Sequence, residues 1–265
     1  MSNMALELIS KTAGATAGKP SLLFIHGGFH GAWCWDEHFL PWFNERGWAA
    51  HAVSLRGHGQ SDGAAQIRDW SLADYAEDVL STITRLGRPV ILIGHSMGGV
   101  VAQQCWREHN LVRGMVLLAS SPLRPARSVI YRLMRTSPVS LILGQILKDP
   151  VRLKRAMVPF LLSPHLSPEQ RETYHARLCL ESPKAMAEIF SRPPPDVDVN
   201  ESRPVHVIAG ADDWSIPLSA NAELAETYQT VMGTCPGWHD LMLDPEWEAS
   251  AQSIQRWLDR NFSAA

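Results

Sequence analysis

Residues 89–99 read Pro-Val-Ile-Leu-Ile-Gly-His-Ser-Met-Gly-Gly, an apolar run that breaks at Gly94, passes through Ser96 and enters a helical stretch, Gly98 to His109. The run Pro89 to Ile93 has the length and β-branched content of a buried strand. A sharp strand-to-helix turn holds its central serine in strained backbone and needs small residues two before and two after it, so that neighbouring chains pack close. Gly94 and Gly98 occupy those positions and Gly99 adds room. Such a turn exposes the Ser96 hydroxyl at the top of a sheet and points the Met97 amide toward whatever the hydroxyl attacks. A bare G-x-S-x-G decides nothing; the strand before it and the helix after it make it a candidate nucleophile elbow.

Working outward, apolar runs recur at Ser21 to Ile25, Ala49 to Leu55, Met115 to Ala119 and Val205 to Ala209, with helical patterns between them. The clearest helix is Ser71 to Leu86: Ser71 caps it, Asp74 lies three residues on, Leu72, Tyr75, Val79, Ile83 and Leu86 recur at helical spacing, and Gly87 ends it. Alternating strands and helices imply parallel βαβ units and an α/β fold, a twisted sheet covered on both faces with the ligand edge at the strand C-termini. The alternation stops after Ala119. From Ser121 to Arg203 the pattern is helical only, with amphipathic stretches at 128–135, 139–147, 151–162 and 168–180, and Pro193-Pro-Pro195 with Asp196 and Asp198 as the return. The expected organisation is a core of residues 1–120 and 204–265 with a helical lid, 121–203, over the strand ends. Tyr228 to Met232 is expected as a further short strand and Pro245 to Asn261 as the closing helix.

The 265 residues suffice for one large domain with an insertion, and 45% hydrophobic with 19% charged residues fits a globular chain. A net charge of −3 offers no electrostatic case for nucleic acid or an anionic membrane, so a small-molecule partner is expected. The N-terminus lacks a basic region followed by an apolar core, and no apolar run approaches ~20 residues, so a cytoplasmic location is the expectation. Cys34, Cys105, Cys179 and Cys235 are scattered, without a C-x-x-C pair, and read as reduced thiols.

Because a serine hydroxyl is barely ionised at neutral pH, it needs a base to take its proton and an acid to orient that base. After the strand at 205–209 comes Gly210-Ala-Asp-Asp-Trp-Ser-Ile-Pro217, and later Gly237-Trp-His-Asp-Leu-Met-Leu243. Together with Phe24 to Trp35 (Phe-Ile-His-Gly-Gly-Phe-His-Gly-Ala-Trp-Cys-Trp) and Leu55 to Gly63 (Leu-Arg-Gly-His-Gly-Gln-Ser-Asp-Gly), these segments resemble the α/β hydrolases from about residue 20 to the C-terminus. The resemblance implies Ser96 as nucleophile, His239 as general base and then acid, and Asp213 as orienting acid. Asp213 stands third after Gly210 with Pro217 four beyond it; Asp212 fits neither spacing. It also implies an oxyanion hole from the amides of Gly28 and Met97, with no cofactor; His26, His30, His51 and His58 show no ligand spacing joined to a carboxylate, so no metal is expected.

Of the other histidines, His95 reads as packing beside the nucleophile, His26 as a brace of the oxyanion loop and His58 as a turn residue; His30 is open between substrate contact and structure. Trp33, Trp35, Trp214 and Trp238 fall in or beside active-site loops. Phe29, Trp214, Trp238, Met157, Phe160 and Leu161 are candidate substrate contacts, and a pocket walled by such groups favours an apolar ester. The His26 to Trp33 segment is especially similar to small plant methylesterases and hydroxynitrile lyases. The lyases most like it carry threonine where Gly27 stands and lysine where Asp240 stands, and a carboxylate there disfavours handling cyanide. The expected function is therefore carboxylic-ester hydrolysis through an acyl-enzyme. Lactonase, C–C hydrolase or perhydrolase chemistry with the same triad, or a ligand receptor without turnover, are the alternatives. The sequence is silent on oligomeric state.

Overall fold

A computed structural model describes residues 4–13, 15–106, 108–121, 135, 138–191 and 202–262. Seven strands form one sheet in the order β1-β3-β2-β4-β5-β6-β7. They are β1 (Leu8–Lys11), β2 (Ser21–Ile25), β3 (Ala50–Val53), β4 (Val90–His95), β5 (Val112–Leu118), β6 (Val205–Gly210) and β7 (Met232–Cys235). Only β1 runs antiparallel, against β3; the pairs from β3 to β7 are parallel. Every residue of β2 and β4 is buried, as the uninterrupted apolar runs require of strands covered on both faces.

The flanking helices are α1 (Trp33–Asp36), α2 (Phe39–Glu45), α3 (Leu72–Leu86), α4 (Met97–Cys105), α9 (Leu218–Thr227) and α10 (Trp247–Phe262). In α3 the expected signals act as written: Ser71 and Asp74 form a capping box, and Gly87 stops the helix at φ 61° with its amide on the Ile83 carbonyl. Tyr75, Val79 and Ile83 lie buried on its inner face. Between β5 and β6 the chain adds α5 (Pro138–Ile146), α6 (Pro150–Leu161), α7 (Pro168–Arg177) and α8 (Pro183–Ser191), and among the described residues no strand. The helix expected over 128–135, apart from Arg135, and the return at 193–198 lie outside the described residues. Among the described residues no helix is long and apolar enough to cross a membrane, and all four cysteines are free thiols.

One expectation is corrected. The segment expected as a strand over 228–232 is not one: Tyr228 ends α9, Val231 is exposed, and β7 starts at Met232. Pairing follows the register with β6, Val207 to Met232 through Gly210 to Cys235, and not the composition of 228–232. The edge strand β1 and helices α1, α2 and α8 carry no signal that the sequence reading used.

The elbow explains its glycines by contact. A Cβ on Gly98 would sit 2.3 Å from the carbonyl oxygen of Ile25 and 2.4 Å from that of His26, and one on Gly94 would sit 2.4 Å from the carbonyl oxygen of Gly98. These are backbone atoms that cannot rotate aside. Gly98→Ala is thus expected to destabilise the fold by at least about 1–3 kcal/mol, the range for overpacking. Thermal melting checks this, and an unchanged Tm would contradict the close approach.

Candidate active site

Ser96 joins β4 to α4 with φ 50° and ψ −115°, a conformation that costs roughly 1–3 kcal/mol for a non-glycine residue unless its surroundings enforce it. The surroundings do so: the Ser96 amide donates to Leu118 O at 3.1 Å, and Ser96 O accepts from Gly99 N and Ser121 N at 3.0 and 3.2 Å. Ser96 is half-buried between the fully enclosed His95 and Met97. Its Oγ lies 3.0 Å from Nε2 of His239, whose Nδ1 lies 2.8 Å from Oδ2 of Asp213. The three residues that the resemblance singled out are therefore brought into one hydrogen-bonded line from β4, the loop after β6 and the loop after β7.

Local structure aims each partner. Oδ1 of Asp213 accepts from Ser215 N at 2.7 Å and Ile216 N at 2.9 Å, an Asx-type turn that fixes the carboxylate while leaving Oδ2 for the imidazole. Asp212 is exposed. The histidine loop presses on the acid loop so closely that a Cβ on Gly210 would be 2.7 Å from Trp238 O. Helix α6 braces both loops from the inserted segment: the carbonyl of Phe160, an orphan acceptor at the helix end, takes Ser215 Oγ at 2.9 Å and Trp238 Nε1 at 3.1 Å.

Burial alone would lower the pKa of His239, but the Asp213 carboxylate, followed by Asp240, outweighs it and holds the imidazole above its ordinary 6.5. Asp240 is itself buried. Burial pushes its pKa up, yet His30, 3.1 Å from its Oδ2, and His95 bring it below the usual carboxylate value. His95 behaves as packing of a specific kind: its Nε2 donates to His239 O at 3.0 Å, and burial followed by the neighbouring His239 lowers it to about 3, so it is neutral. His95, His239 and Asp240 also place one potential ligand atom each within 4.8 Å of one another. A cation there would take the imidazole that faces Ser96.

On the loop after β2, His26 acts as the expected brace. Its Nδ1 donates to Gly27 O at 2.8 Å and its Nε2 accepts from Leu55 N at 3.0 Å. His30 Nδ1 donates to Gly28 O at 2.8 Å. His58, expected as a turn residue, is instead fully buried with Nε2 3.0 Å from Oε2 of Glu181, a carboxylate between α7 and α8 that the sequence reading missed. No local signal marks Glu181, since its partners other than the adjacent Ser182 amide lie more than 100 residues away. Of the expected contacts, Phe29 and Phe160 are fully enclosed, Leu161 and Met157 nearly so, Trp238 is half-buried and Trp214 exposed. Met186, also missed, lies 3.7 Å from where a Cβ on Gly28 would stand.

A sequence profile of the Alpha/beta hydrolase family matches residues 22–251. The chain belongs to the alpha/beta hydrolase family. Among relatives of this chain, Methylesterase 9 of Arabidopsis thaliana is 32% identical over 83 residues, which are 30% of this chain and 31% of that one. The pyrethroid hydrolase of Sphingobium wenxiniae is 29% identical over 100 residues, 37% of this chain and 35% of that one. The chain thus spans about a third of the length of these curated relatives. Its fold matches a thermophilic esterase from Thermogutta terrifontis with a TM-score of 0.75 at 20% identity, over 98% of this chain and 95% of the other.

Proposed function

We propose that this hydrolase is a carboxylic-ester hydrolase working through an acyl-enzyme on a small, largely apolar ester. The observation that carries the reading is the unbroken line Ser96 Oγ, His239, Asp213 at a strained elbow. Ser96 Oγ attacks the ester carbonyl carbon while His239 Nε2 takes its proton; the carbonyl π pair moves onto oxygen, where the Gly28 and Met97 amides receive it. The intermediate collapses, the C–O bond to the alcohol breaks, and His239 returns the proton to the leaving oxygen. Water then repeats the sequence with the acyl-enzyme, releasing acid and Ser96. No step uses a cofactor.

The names of the methylesterase relatives and of the esterase neighbour support the same reaction class. A lyase of the kind that carries threonine at the Gly27 position is disfavoured further by space: a Cβ on Gly27 would be 2.6 Å from Nδ1 of His95 and 3.2 Å from Cβ of Ser96. We read the inserted segment 121–203 as a cap over the strand ends, with Met157, Phe160 and Leu161 of α6, together with Phe29, Trp214 and Trp238, setting the acyl or alcohol preference. A panel of p-nitrophenyl esters, lactones and amides tests the assignment. Ester turnover in the wild type supports it, whereas preferred lactone turnover, or binding without turnover, would replace it.

The pH dependence follows from the charge of His239. Only the neutral imidazole accepts the Ser96 proton, and Asp213 with Asp240 raises its pKa above 6.5. Thus kcat/KM is expected to fall with a single protonation as pH drops through a midpoint on the alkaline side of 6.5. A profile flat from pH 5 to 8, in an assay limited by chemistry, would contradict His239 as the base.

A further inference from the structure

The residue after Gly28 is held in an unusual way. Phe29 adopts φ 69°, a left-handed conformation that costs a non-glycine residue of its bulk on the order of 1–3 kcal/mol and persists only when contacts enforce it. The contacts come from both sides of its backbone and from one short segment, residues 179–182, between α7 and α8. Cys179 N donates to Phe29 O at 2.7 Å, and Phe29 N donates to Oε2 of Glu181 at 3.2 Å. The same carboxylate oxygen lies 3.4 Å from where a Cβ on Gly28 would stand, so it also limits where the Gly28 backbone can move.

Glu181 is not a spare acid available to substrate. It is wholly buried, and four donors saturate it: Tyr75 Oη at 2.7 Å and Ser182 N at 2.7 Å on Oε1, His58 Nε2 at 3.0 Å and Phe29 N at 3.2 Å on Oε2. Nδ1 of His58 faces the carbonyl oxygen of Arg56 at 3.1 Å, so both ring nitrogens meet acceptors and the ring is an imidazolium. Burial opposes both charges, yet each keeps the other: Glu181 holds His58 above its ordinary value, and His58 holds Glu181 below its own. The result is a rigid ion pair that ties the loop carrying His58, the inner face of α3 through Tyr75, and the inserted segment to one backbone amide beside the reacting centre.

We propose that Glu181 is a positioning residue of the oxyanion hole: with Cys179 it clamps Phe29 in its left-handed conformation and thereby aims the Gly28 amide, so that the inserted segment completes the catalytic site. The inference rests on the assignment of Gly28 as an oxyanion donor. A clamp on a transition-state donor differs from a structural tie in what it does to kinetics. Releasing it leaves ground-state binding alone but misaims a donor whose whole value lies in the transition state, where an error near 1 Å can cost about 10²-fold.

The test compares wild type with Glu181→Gln, Glu181→Asp and Leu224→Ala, using p-nitrophenyl acetate with active sites counted by exhaustive fluorophosphonate labelling. Glu181→Asp keeps the charge opposite His58 but withdraws the carboxylate by one methylene, and it serves if the glutamine variant fails to fold. Leu224, fully buried on the inner face of α9, controls for lost stability alone. The expected result is a kcat lower by about 10- to 100-fold per active site in the folded Glu181 variants, with KM within about threefold of wild type. Leu224→Ala should lower Tm and leave kcat per active site unchanged. An active wild type whose Glu181 variants keep wild-type kcat, or lose only KM, overturns the clamp. A wild type that neither hydrolyses the ester nor reacts with the phosphonate overturns the ester-hydrolase reading instead.

Discussion

Ser96→Ala will fold normally and lose ester turnover by on the order of 10⁶-fold in kcat, the scale seen when a serine nucleophile is removed from an intact triad. The expectation has two structural parts. The hydroxyl makes the bond that defines the acyl-enzyme, so nothing remains to carry the covalent route. The backbone strain at Ser96, by contrast, is enforced by hydrogen bonds of its amide and carbonyl to Leu118, Gly99 and Ser121, none of which uses the side chain. Residual rate above water, roughly 10³–10⁴-fold, would come from the oxyanion amides and binding alone. Steady-state kinetics together with circular dichroism separates loss of chemistry from loss of fold. A variant that retains even a hundredth of wild-type kcat would show that another group attacks.

Asp213→Asn is expected to lower kcat by roughly 10⁴-fold with KM little changed. An amide at this position can turn its NH₂ toward the ring, which reverses the tautomer so that Nε2 carries a proton and can no longer accept one from Ser96. It also removes the charge that stabilises the imidazolium. Oδ1 keeps the amides of Ser215 and Ile216, so the loop itself should hold. Asp212→Asn, one residue earlier but exposed, should cost less than about twofold in kcat, as surface changes remote from the chemistry do. If Asp212→Asn were the crippling change and Asp213→Asn stayed active, the acid of the relay would be misassigned.

How much of this was legible in sequence depends on how local each signal is. The elbow was legible because its requirements, an apolar strand, three glycines and a helix, follow one another without a break from Pro89 to His109, and the structure shows backbone oxygens where the Cβ atoms of Gly94 and Gly98 would be and the Ser120 side chain where that of Gly99 would be. Asp213 was legible through the resemblance, whose pattern of glycine, acid and proline falls on Gly210, Asp213 and Pro217. The helix Leu72–Leu86 was legible through its caps. The short strand before the last helix was misplaced, because β7 is set by pairing with β6 and not by its own Met-Gly-Thr-Cys composition.

The buried carboxylates were legible only in part. Asp240 was noticed for its place beside His239, but its partners His30 and His95 could not be assigned, because each reaches it through the fold. His58 read as a turn residue in a glycine-rich loop since its partner, Glu181, stands 123 residues away in a segment whose pattern shows only helices and prolines. Tertiary electrostatics of this kind leave no periodicity to read. The same holds for the Phe160 carbonyl that braces both catalytic loops: a backbone acceptor has no signature in the side-chain sequence.

The central claim is that Ser96 is an activated nucleophile. Incubating the protein with a fluorophosphonate at neutral pH, digesting it and mapping the adduct by mass spectrometry tests that claim without any knowledge of the natural ester. One adduct per chain, carried by Ser96, is the predicted result; an adduct on a different residue, or an unmodified Ser96 after prolonged exposure, would contradict it.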